Sequence, residues 1–349
     1  RRATLGRAEV IPSGLPPGSD VGNLSILGYD PRRYHTGRAP IEAAALGLHL
    51  RPDQVAFRCN LVTLGPDGTM ADFAGGHPSS AAAAPVLAAL QAELGTDEVS
   101  FHPGVEYRHV VVAPAAWADA RCVPPHDLTG RPSVLPSGAA GARLRELMAA
   151  AGPVVRRARA AGTSATDIWL WGQGHAPVLP SFQERFGCSA GLNTAVDLIR
   201  GLGVLSGIDV VEADGVTAGY DTSYEAARDA CLDTLRAGTD LFVIHVEATD
   251  EAGHAGDLAE KVRALEAWDA RILGPLVEGL DALGPWRLLL LPDHPTPVAR
   301  KTHTCDPVPW LLVDSAVDGP GGTYSEVGVA GLAVTAGHEL MGHLVGGAR

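Results

Sequence analysis

The sequence has few of the features that mark disulfide-rich, membrane or nucleic-acid-binding proteins. Its five cysteines are widely spaced with no CxxC pair, which argues against a disulfide framework or a zinc knuckle. No apolar run is long enough to cross a bilayer. Lysine occurs only as Lys261 and Lys301, and a formal net charge of −13 leaves no basic stripe for nucleic acid. Because the cysteines are odd in number and widely spaced, we expect reduced thiols in a cytoplasmic protein.

The composition is that of a globular protein with a large core. The chain has 349 residues, of which 46% are apolar and 19% are charged. This length favours two domains over one. The polar stretch from Arg1 to Glu9 precedes a Pro/Gly loop, so we expect no secretory signal. Residues 1–18 show no pattern of a starting strand.

Alternating strand and helix patterns predict an α/β fold. Residues 54–64 are typical of a strand, and Ser79 or Ser80 can cap a helix that ends near Leu94. Residues 258–280 have the pattern of one long helix. Such alternation indicates a parallel sheet that helices cover on both faces.

Acidic and imidazole residues follow two predicted buried strands. The apolar run at 241–246 leads into Asp250, and the run at 286–291 leads into the adjacent Asp293 and His294. Ligand sites of open α/β sheets lie just past the carboxyl ends of the strands. We therefore expect these side chains to converge.

Two further histidines extend this set. His254 lies four residues after Asp250, so the two share a face on a helical turn, and His303 follows shortly after His294. Carboxylate and imidazole ligands together suit Mn²⁺, Zn²⁺ or Fe²⁺ better than Ca²⁺. Each motif alone would fit a surface pair or a helix cap, but their combination favours a metal site.

A Gly/Pro-rich segment at residues 14–23 presents Ser19. A serine hydroxyl is a poor nucleophile at neutral pH, and a metal ion can activate it. The alternative interpretation is that Ser19 or Asp20 caps the next helix.

Residues 17–31, PGSDVGNLSILGYDP, resemble the nucleophile segment of archaeal-type 2,3-bisphosphoglycerate-independent phosphoglycerate mutases, which belong to the alkaline phosphatase superfamily. Further segments that resemble this family follow in the same order along the chain. They are residues 36–40, 55–60, 107–109, 168–174, 250–254 and 303–309.

The resemblance implies an alkaline-phosphatase-like α/β fold. Its mostly parallel sheet is sandwiched by helices and interrupted by a smaller α+β lid domain. The implied metal-binding domain consists of residues 1–51 and 166–349, and the inserted substrate-binding domain of residues 52–165. In this family the chain begins with a strand that ends in Asp-Gly, whose Asp is a metal ligand. No such pair precedes Ser19, so we expect that this amino-terminal segment is missing. The alternative is that the protein has lost this ligand and with it a core strand.

The resemblance also implies that Ser19 becomes transiently phosphorylated beside two divalent ions, with Mn²⁺ foremost and Mg²⁺, Zn²⁺ or Co²⁺ as alternatives. The implied ligands of one ion are Asp250, His254 and His303. Those of the other are Asp293, His294 and Ser19.

Substrate contacts are implied for Arg38, Arg108, His109 and Lys301. His126 and Asp127 are implied as the catalytic acid/base groups. A structural salt bridge is an equally good interpretation of Arg38 and Arg108, and a loop cap is nearly as good an interpretation of the His126–Asp127 pair.

The implied activity is the interconversion of 3-phosphoglycerate and 2-phosphoglycerate in glycolysis and gluconeogenesis. The expected partner is therefore a small phosphoglycerate, with no nucleic acid and no membrane; the oligomeric state is left open. Two alternatives have similar metal sites. One is a metal-dependent phosphomonoesterase or phosphotransferase of the same superfamily, and the other is a catalytically impaired metal-binding homologue.

Overall fold

The computed structural model describes residues 2–159 and 163–346. The chain forms two compact units. The first combines Arg1–His35 with Val178–Arg349, and the second is Thr36–Pro177. Within the described ranges, no helix is both long and apolar enough to span a bilayer.

The strands belong to separate sheets within the two units. In chain order they are β1 (Thr4–Glu9), β2 (Gln54–Leu64), β3 (Met70–Asp72), β4 (Ser100–His102), β5 (Arg108–Pro114), β6 (Ala120–Arg121), β7 (Ser137–Gly138), β8 (Asp167–Gly174), β9 (Ala190–Asn193), β10 (Asp209–Val210), β11 (Leu241–Ile244), β12 (Arg287–Leu290), β13 (Val308–Asp314) and β14 (Val334–Ala336).

The α-helices are distributed over both units. They are α1 (Ser19–Ile26), α2 (Pro31–Tyr34), α3 (Ala39–Ala45), α4 (Ser80–Leu94), α5 (Gly141–Ala158), α6 (Phe182–Phe186), α7 (Asp197–Ser206), α8 (Tyr224–Arg236), α9 (Ala248–Ala255), α10 (Leu258–Trp268), α11 (Gly274–Asp281), α12 (Glu326–Val329) and α13 (Leu340–Val345).

The first unit is built on two sheets. One has the strand order β10–β9–β11 and is parallel throughout. The other has the order β12–β13–β1–β14, in which β13 is antiparallel to both of its neighbours and β14 is parallel to β1. The unit is therefore α/β, with its strands divided between two sheets.

The beginning of the chain corrects one expectation. Residues 1–18 show no strand pattern in the sequence, yet Thr4–Glu9 forms β1 and pairs on both sides, with β13 and β14. The strand is hard to detect because Arg7 and Glu9 interrupt its apolar residues while Ala8 is fully buried. Pairing on both edges therefore determines this strand more than its composition does.

The second unit is a mainly antiparallel sheet with helices α4 and α5. Its strand order is β3–β2–β5–β4, and β8 pairs with β2. The predicted insert begins at residue 52 and ends at residue 165, whereas this unit extends from Thr36 to Pro177. The unit includes β8 because β8 pairs with β2. It also includes α3 because Ala39 and Ala43 of this helix share an apolar cluster with Ala56 of β2.

Two predicted elements are confirmed and one is modified. The strand at Gln54–Leu64 and the Ser79-capped helix at Ser80–Leu94 are as expected. The long helix predicted at 258–280 is interrupted by a π-helical turn at Asp269–Leu273. Pro275 follows this turn and has no amide hydrogen, so a regular helical hydrogen bond is lost there.

Candidate metal centre

Helix α1 places Ser19 beside the loop after β12. Ser19 is the first residue of this helix and is 9% exposed, and its Oγ lies 3.0 Å from Nε2 of His294. A β-carbon at Gly22 would collide with the carbonyl oxygen of Asp293. The glycine therefore allows the helix to approach this loop closely enough for the Ser19–His294 contact.

Asp293 and His294 follow β12 directly and contact different parts of α1. Oδ2 of Asp293 accepts a hydrogen bond from Nδ2 of Asn23 at 2.7 Å, and the same amide donates to the Ser19 carbonyl at 3.0 Å. Asn23 therefore connects the carboxylate to the backbone of the serine. Oδ2 of Asp293 also lies 3.4 Å from Nε2 of His294.

Helix α9 presents Asp250 and His254 on one face, as their spacing of four residues predicts. Oδ2 of Asp250 lies 3.2 Å from Nε2 of His254. A β-carbon at Gly253 would collide with the carbonyl oxygen of Thr296. This second glycine therefore permits close packing of α9 against the loop that carries His294.

His303 completes the cluster from a loop. Its Nε2 lies 2.9 Å from Nε2 of His254 and 3.5 Å from Oδ1 of Asp250. Its Nδ1 lies 3.3 Å from the carbonyl oxygen of Pro17, which precedes Ser19 by two residues. Asp250, His294 and His303 each offer one ligand atom, and these three atoms lie within 4.8 Å of one another.

The side chains of this cluster differ in protonation. Burial would raise the pKa of Asp250, but hydrogen bonds from His254, His303 and Thr296 outweigh it and hold that pKa well below its usual range. Burial lowers the pKa of His294. The hydrogen bond to Asp250 raises the pKa of His254 to about 9. At neutral pH the cluster therefore holds a carboxylate and a neutral imidazole, which are the forms that bind metals, while His254 must lose a proton to become a ligand.

Sequence reasoning did not identify Thr296. Its hydroxyl donates a hydrogen bond to Oδ1 of Asp250 and lies 3.2 Å from Nδ1 of His294. Its carbonyl oxygen accepts a hydrogen bond from Nζ of Lys261 at 2.7 Å. Threonine is not a common metal ligand. Only its position two residues after His294 could have suggested that it orients Asp250 and His294.

Changing Thr296 to valine should weaken metal binding by roughly 10–100-fold, since residues that orient metal ligands typically contribute this much. The substitution keeps the side-chain shape but removes the hydroxyl that Asp250 and His294 contact. Titration of the apoprotein with Mn²⁺ measures the dissociation constant. The Thr296→Ser protein is the matched control and should bind nearly as tightly as the parent. Equal affinity of the valine and serine proteins would exclude this positioning role.

In the second unit, Arg38 takes part in a network of charged side chains. Its Nε lies 3.1 Å from Oε1 of Glu42, and the same oxygen receives Nη1 of the buried Arg58 at 2.5 Å. The Arg108 guanidinium lies over the Tyr107 ring, 5.6 Å from its centroid. The structural salt bridge considered for Arg38 is therefore present, whereas Arg108 makes a cation–π contact.

His109 is a buried histidine of the second unit. It is 2% exposed, and its Nδ1 accepts a hydrogen bond from the Gly104 amide at 3.0 Å. Burial, together with the charges of Arg58 and Arg108, lowers its pKa to about 3. His109 is therefore a buried, neutral imidazole at physiological pH.

This pKa predicts an acid-dependent contribution to stability. The folded pKa of about 3 lies below the unfolded value near 6.5, so the unfolded chain takes up the proton first as the pH falls. His109 should therefore cost stability below about pH 6.5, at up to about 1.4 kcal/mol per pH unit. Urea unfolding of the parent and of His109→Gln between pH 7.5 and pH 4.5 checks this. The parent should lose stability faster than the variant, and parallel curves would refute the assignment.

The remaining predicted residues lie in different surroundings. His126 and Asp127 are exposed in a short 3₁₀ turn, with Nε2 of His126 3.7 Å from Oδ1 of Asp127. The His126 ring also makes an edge contact with the Trp171 ring, with 5.3 Å between the ring centroids.

Lys301 contacts the metal cluster through its backbone, since its carbonyl oxygen lies 3.1 Å from Nδ1 of His254. The role predicted for Lys301 rests on its ammonium group, which this contact does not involve.

Comparison with known proteins places the chain in a family. The family model for 2,3-bisphosphoglycerate-independent phosphoglycerate mutase matches residues 1–158. A relative from Geobacter sulfurreducens, named a probable enzyme of this kind, is 45% identical over 98% of this chain and 89% of its own length. The chain belongs to the 2,3-bisphosphoglycerate-independent phosphoglycerate mutase family. A second family member, from Methanosarcina acetivorans, is 42% identical over 99% of this chain and 90% of its own length.

Solved structures confirm the predicted fold class. A Pyrococcus horikoshii protein superimposes with a TM-score of 0.78 at 26% identity, over 99% of this chain and 88% of its own. The cofactor-independent phosphoglycerate mutase of Thermoplasma acidophilum gives a TM-score of 0.60 at 23% identity, over 98% and 88% of the two chains, and supports the fold alone. The resemblance noted in the sequence is therefore confirmed at the level of family and fold.

Proposed function

We propose that this chain interconverts 3-phosphoglycerate and 2-phosphoglycerate, as a cytoplasmic isomerase of glycolysis and gluconeogenesis, through a phosphoserine at Ser19. The observation that carries the proposal is the position of Ser19 Oγ, 3.0 Å from Nε2 of His294 at the edge of the Asp250–His294–His303 cluster. Relatives that match nearly the whole chain bear the name of this enzyme, which supports the same activity here.

The donor atoms of the cluster suit divalent cations, and the family resemblance implies two of them. Mn²⁺ is the resident metal that the resemblance to the family puts first, with Mg²⁺, Zn²⁺ and Co²⁺ as alternatives, and carboxylate and imidazole groups can bind it. The ligands proposed for one ion are Asp250, His254 and His303, and those for the other are Asp293, His294 and Ser19. Bound cations would neutralise phosphoryl charge and lower the pKa of the serine hydroxyl.

Ser19 is the proposed nucleophile of a two-step transfer. In the first step a bond forms between Ser19 Oγ and phosphorus while the bond from phosphorus to the C3 oxygen breaks, and a proton moves to the released oxygen. In the second step a bond forms between the C2 oxygen and phosphorus while the bond from Ser19 Oγ to phosphorus breaks, and the proton of the C2 hydroxyl moves to Ser19 Oγ. Ser19 lies at the start of α1. Negative charge that develops on its Oγ as the proton leaves therefore lies at the positive end of the helix dipole.

The second unit is the proposed substrate-binding lid. Arg108 suits a phosphate or carboxylate group because a guanidinium binds both bidentately. His126 and Asp127 are the proposed proton carriers, and their exposure leaves them accessible. Arg38 already pairs with Glu42, so we propose a weaker contribution from it. His109 is buried and neutral, which makes it the least suited of the proposed contacts.

A product assay tests the proposed function. The chain, loaded with Mn²⁺ and given 3-phosphoglycerate, should form 2-phosphoglycerate without a matching release of inorganic phosphate. A chelator should stop turnover, and added Mn²⁺ should restore it. Release of phosphate in step with substrate loss would identify a phosphomonoesterase instead. Turnover that is indifferent to the chelator would refute metal-dependent chemistry.

A further inference from the structure

The backbone around His126 is held by packing in the second unit. His126 lies in a short 3₁₀ turn whose first and last residues, Pro125 and Leu128, are buried. Just before this turn, the carbonyl oxygen of Val123 accepts a hydrogen bond from Nε1 of Trp169 at 2.8 Å. Because these contacts fix the backbone, the remaining freedom of His126 is the rotation of its side chain.

Two aromatic side chains restrict this rotation. The centroid of the His126 ring lies 5.3 Å from that of the Trp171 ring, at an interplanar angle of 73°, and 6.2 Å from that of the Phe73 ring, at 77°. Such edge-to-face arrangements are favourable for aromatic rings. The His126 ring therefore has a preferred orientation, although 48% of its side chain is exposed.

A single buried side chain connects both aromatic residues. Asn60 of β2 is 1% exposed. Its Oδ1 accepts a hydrogen bond from Nε1 of Trp171 at 3.1 Å, and its Nδ2 donates one to the carbonyl oxygen of Phe73 at 3.2 Å. Asn60 therefore fixes the indole ring of Trp171 and the backbone of Phe73 at the same time.

Arg58 in turn fixes the orientation of the Asn60 amide. This arginine is 4% exposed, donates a hydrogen bond from Nε to Oδ1 of Asn60 at 3.1 Å, and lies over the Trp171 ring, 5.1 Å from its centroid. A guanidinium and an indole N–H can only donate hydrogen bonds, so the amide oxygen must face both of them. The amide nitrogen then faces the Phe73 carbonyl oxygen, and one orientation of Asn60 satisfies all three hydrogen bonds.

We propose that Asn60 is a positioning residue, which holds the His126 ring in the orientation needed for proton transfer by fixing Trp171 and Phe73. The inference rests on the proposed function, in which His126 is a proton carrier. Histidine is the most frequent general acid and base in enzymes, and the transfer requires hydrogen-bond distance between the ring nitrogen and the reacting oxygen. A half-exposed histidine needs such support, because a displacement of about 1 Å can lower a rate roughly 100-fold.

The alternative is that Asn60 serves the packing of β2 against β8 alone. Its removal would then lower stability, and any loss of turnover would be independent of His126. The two interpretations therefore differ in whether the effects of Asn60 and His126 on turnover are additive as free energies.

A double-mutant cycle separates these interpretations. Turnover of 3-phosphoglycerate is measured for the parent loaded with Mn²⁺, for Asn60→Leu, for His126→Gln and for the protein with both substitutions. Asn60→Leu alone should lower kcat by roughly 100-fold, with a smaller change in KM. Added to His126→Gln, it should lower kcat by less than about twofold, because the ring that it displaces is already gone. Losses that multiply would overturn the proposal.

Asn60→Asp keeps the test decisive if Asn60→Leu does not fold. It retains the oxygen that Arg58 and Trp171 contact and loses the amide that donates to the Phe73 carbonyl oxygen. It should therefore lower kcat by roughly tenfold, a smaller displacement of the ring than in the leucine protein. This loss should also disappear in the His126→Gln background, and its persistence there would overturn the proposal.

Thr166→Val is the matched control for the loss of a hydrogen bond in the same unit. The Thr166 hydroxyl oxygen accepts a hydrogen bond from the amide of Leu64 at 2.8 Å. This variant should keep the kcat of the parent. A fall in kcat as large as that of Asn60→Leu would assign the effect of Asn60 to general destabilisation and would overturn its positioning role.

Nuclear magnetic resonance of the full chain reports the position of the ring without turnover. The Cε1 proton of His126, identified by its absence from His126→Gln, should be displaced from its value in free histidine by the ring currents of Trp171 and Phe73. The signal should move toward that value in both Asn60 variants and stay in place in Thr166→Val. A signal that stays in both Asn60 variants would overturn the proposal. If the parent formed no 2-phosphoglycerate, the proposed function would fail, and this signal would still decide whether Asn60 holds His126.

Discussion

Replacing Ser19 with alanine is expected to lower mutase turnover by roughly 10⁴-fold or more, the scale seen when an enzyme loses its nucleophile. The reason is that the hydroxyl at Oγ is the group proposed to receive the phosphoryl group, and it lies 3.0 Å from Nε2 of His294. Coupled assay of 2-phosphoglycerate measures turnover. Mass spectrometry of acid-quenched protein measures phosphorylation of this position, which should disappear.

The Ser19→Ala protein should keep its fold and most of its metal affinity, because the histidine and carboxylate ligands remain. Ser13→Ala is a matched control in the same segment, since Ser13 is exposed and precedes α1. It should turn over at the parent rate. Near-normal turnover of Ser19→Ala, or phosphate trapped on another residue, would disprove the assignment of the nucleophile.

Replacing His303 with alanine is expected to weaken metal binding by more than about 100-fold, since a direct ligand contributes at least as much as the groups that orient it. Nε2 of His303 lies within reach of both Asp250 and His254, at 3.5 Å and 2.9 Å. Elemental analysis after dialysis should show a loss of bound metal, and turnover should fall with it. High concentrations of Mn²⁺ should restore part of the activity.

His343→Ala is the matched control for this variant, because His343 is an exposed histidine of the same unit, on α13. Its metal content should equal that of the parent. If His303→Ala kept the parent stoichiometry and affinity, His303 would not be a ligand, and the proposed site would have to be built from the other side chains.

Local patterns predicted the elements that carry the chemistry. Apolar runs predicted β11 and β12. The rule that sites lie past the carboxyl ends of strands predicted that Asp250 and His294 would meet, and Oδ1 of Asp250 lies 4.0 Å from Nδ1 of His294. The spacing of four residues likewise predicted that His254 would share a face with Asp250, and these side chains are 3.2 Å apart. Such inferences succeed because they depend on backbone periodicity alone.

Other parts of the site depend on contacts that are distant in sequence. The hydroxyl of Thr296 becomes important only because Gly253 lets α9 pack against its loop. Lys301 was singled out for its charge, yet its carbonyl oxygen is the group near His254. Strand β1 was missed because pairing with β13 and β14, and not its composition, determines it. Tertiary packing determines these features, and a single sequence does not encode it in any local pattern.

A crystal structure of the chain soaked with Mn²⁺ tests the central claim most directly, by anomalous scattering from the metal. The account predicts one manganese ion bound by Asp250, His254 and His303, and a second bound by Asp293, His294 and Oγ of Ser19. Crystals saturated with Mn²⁺ that show no ion among these side chains, or ions bound only elsewhere on the protein, would contradict it.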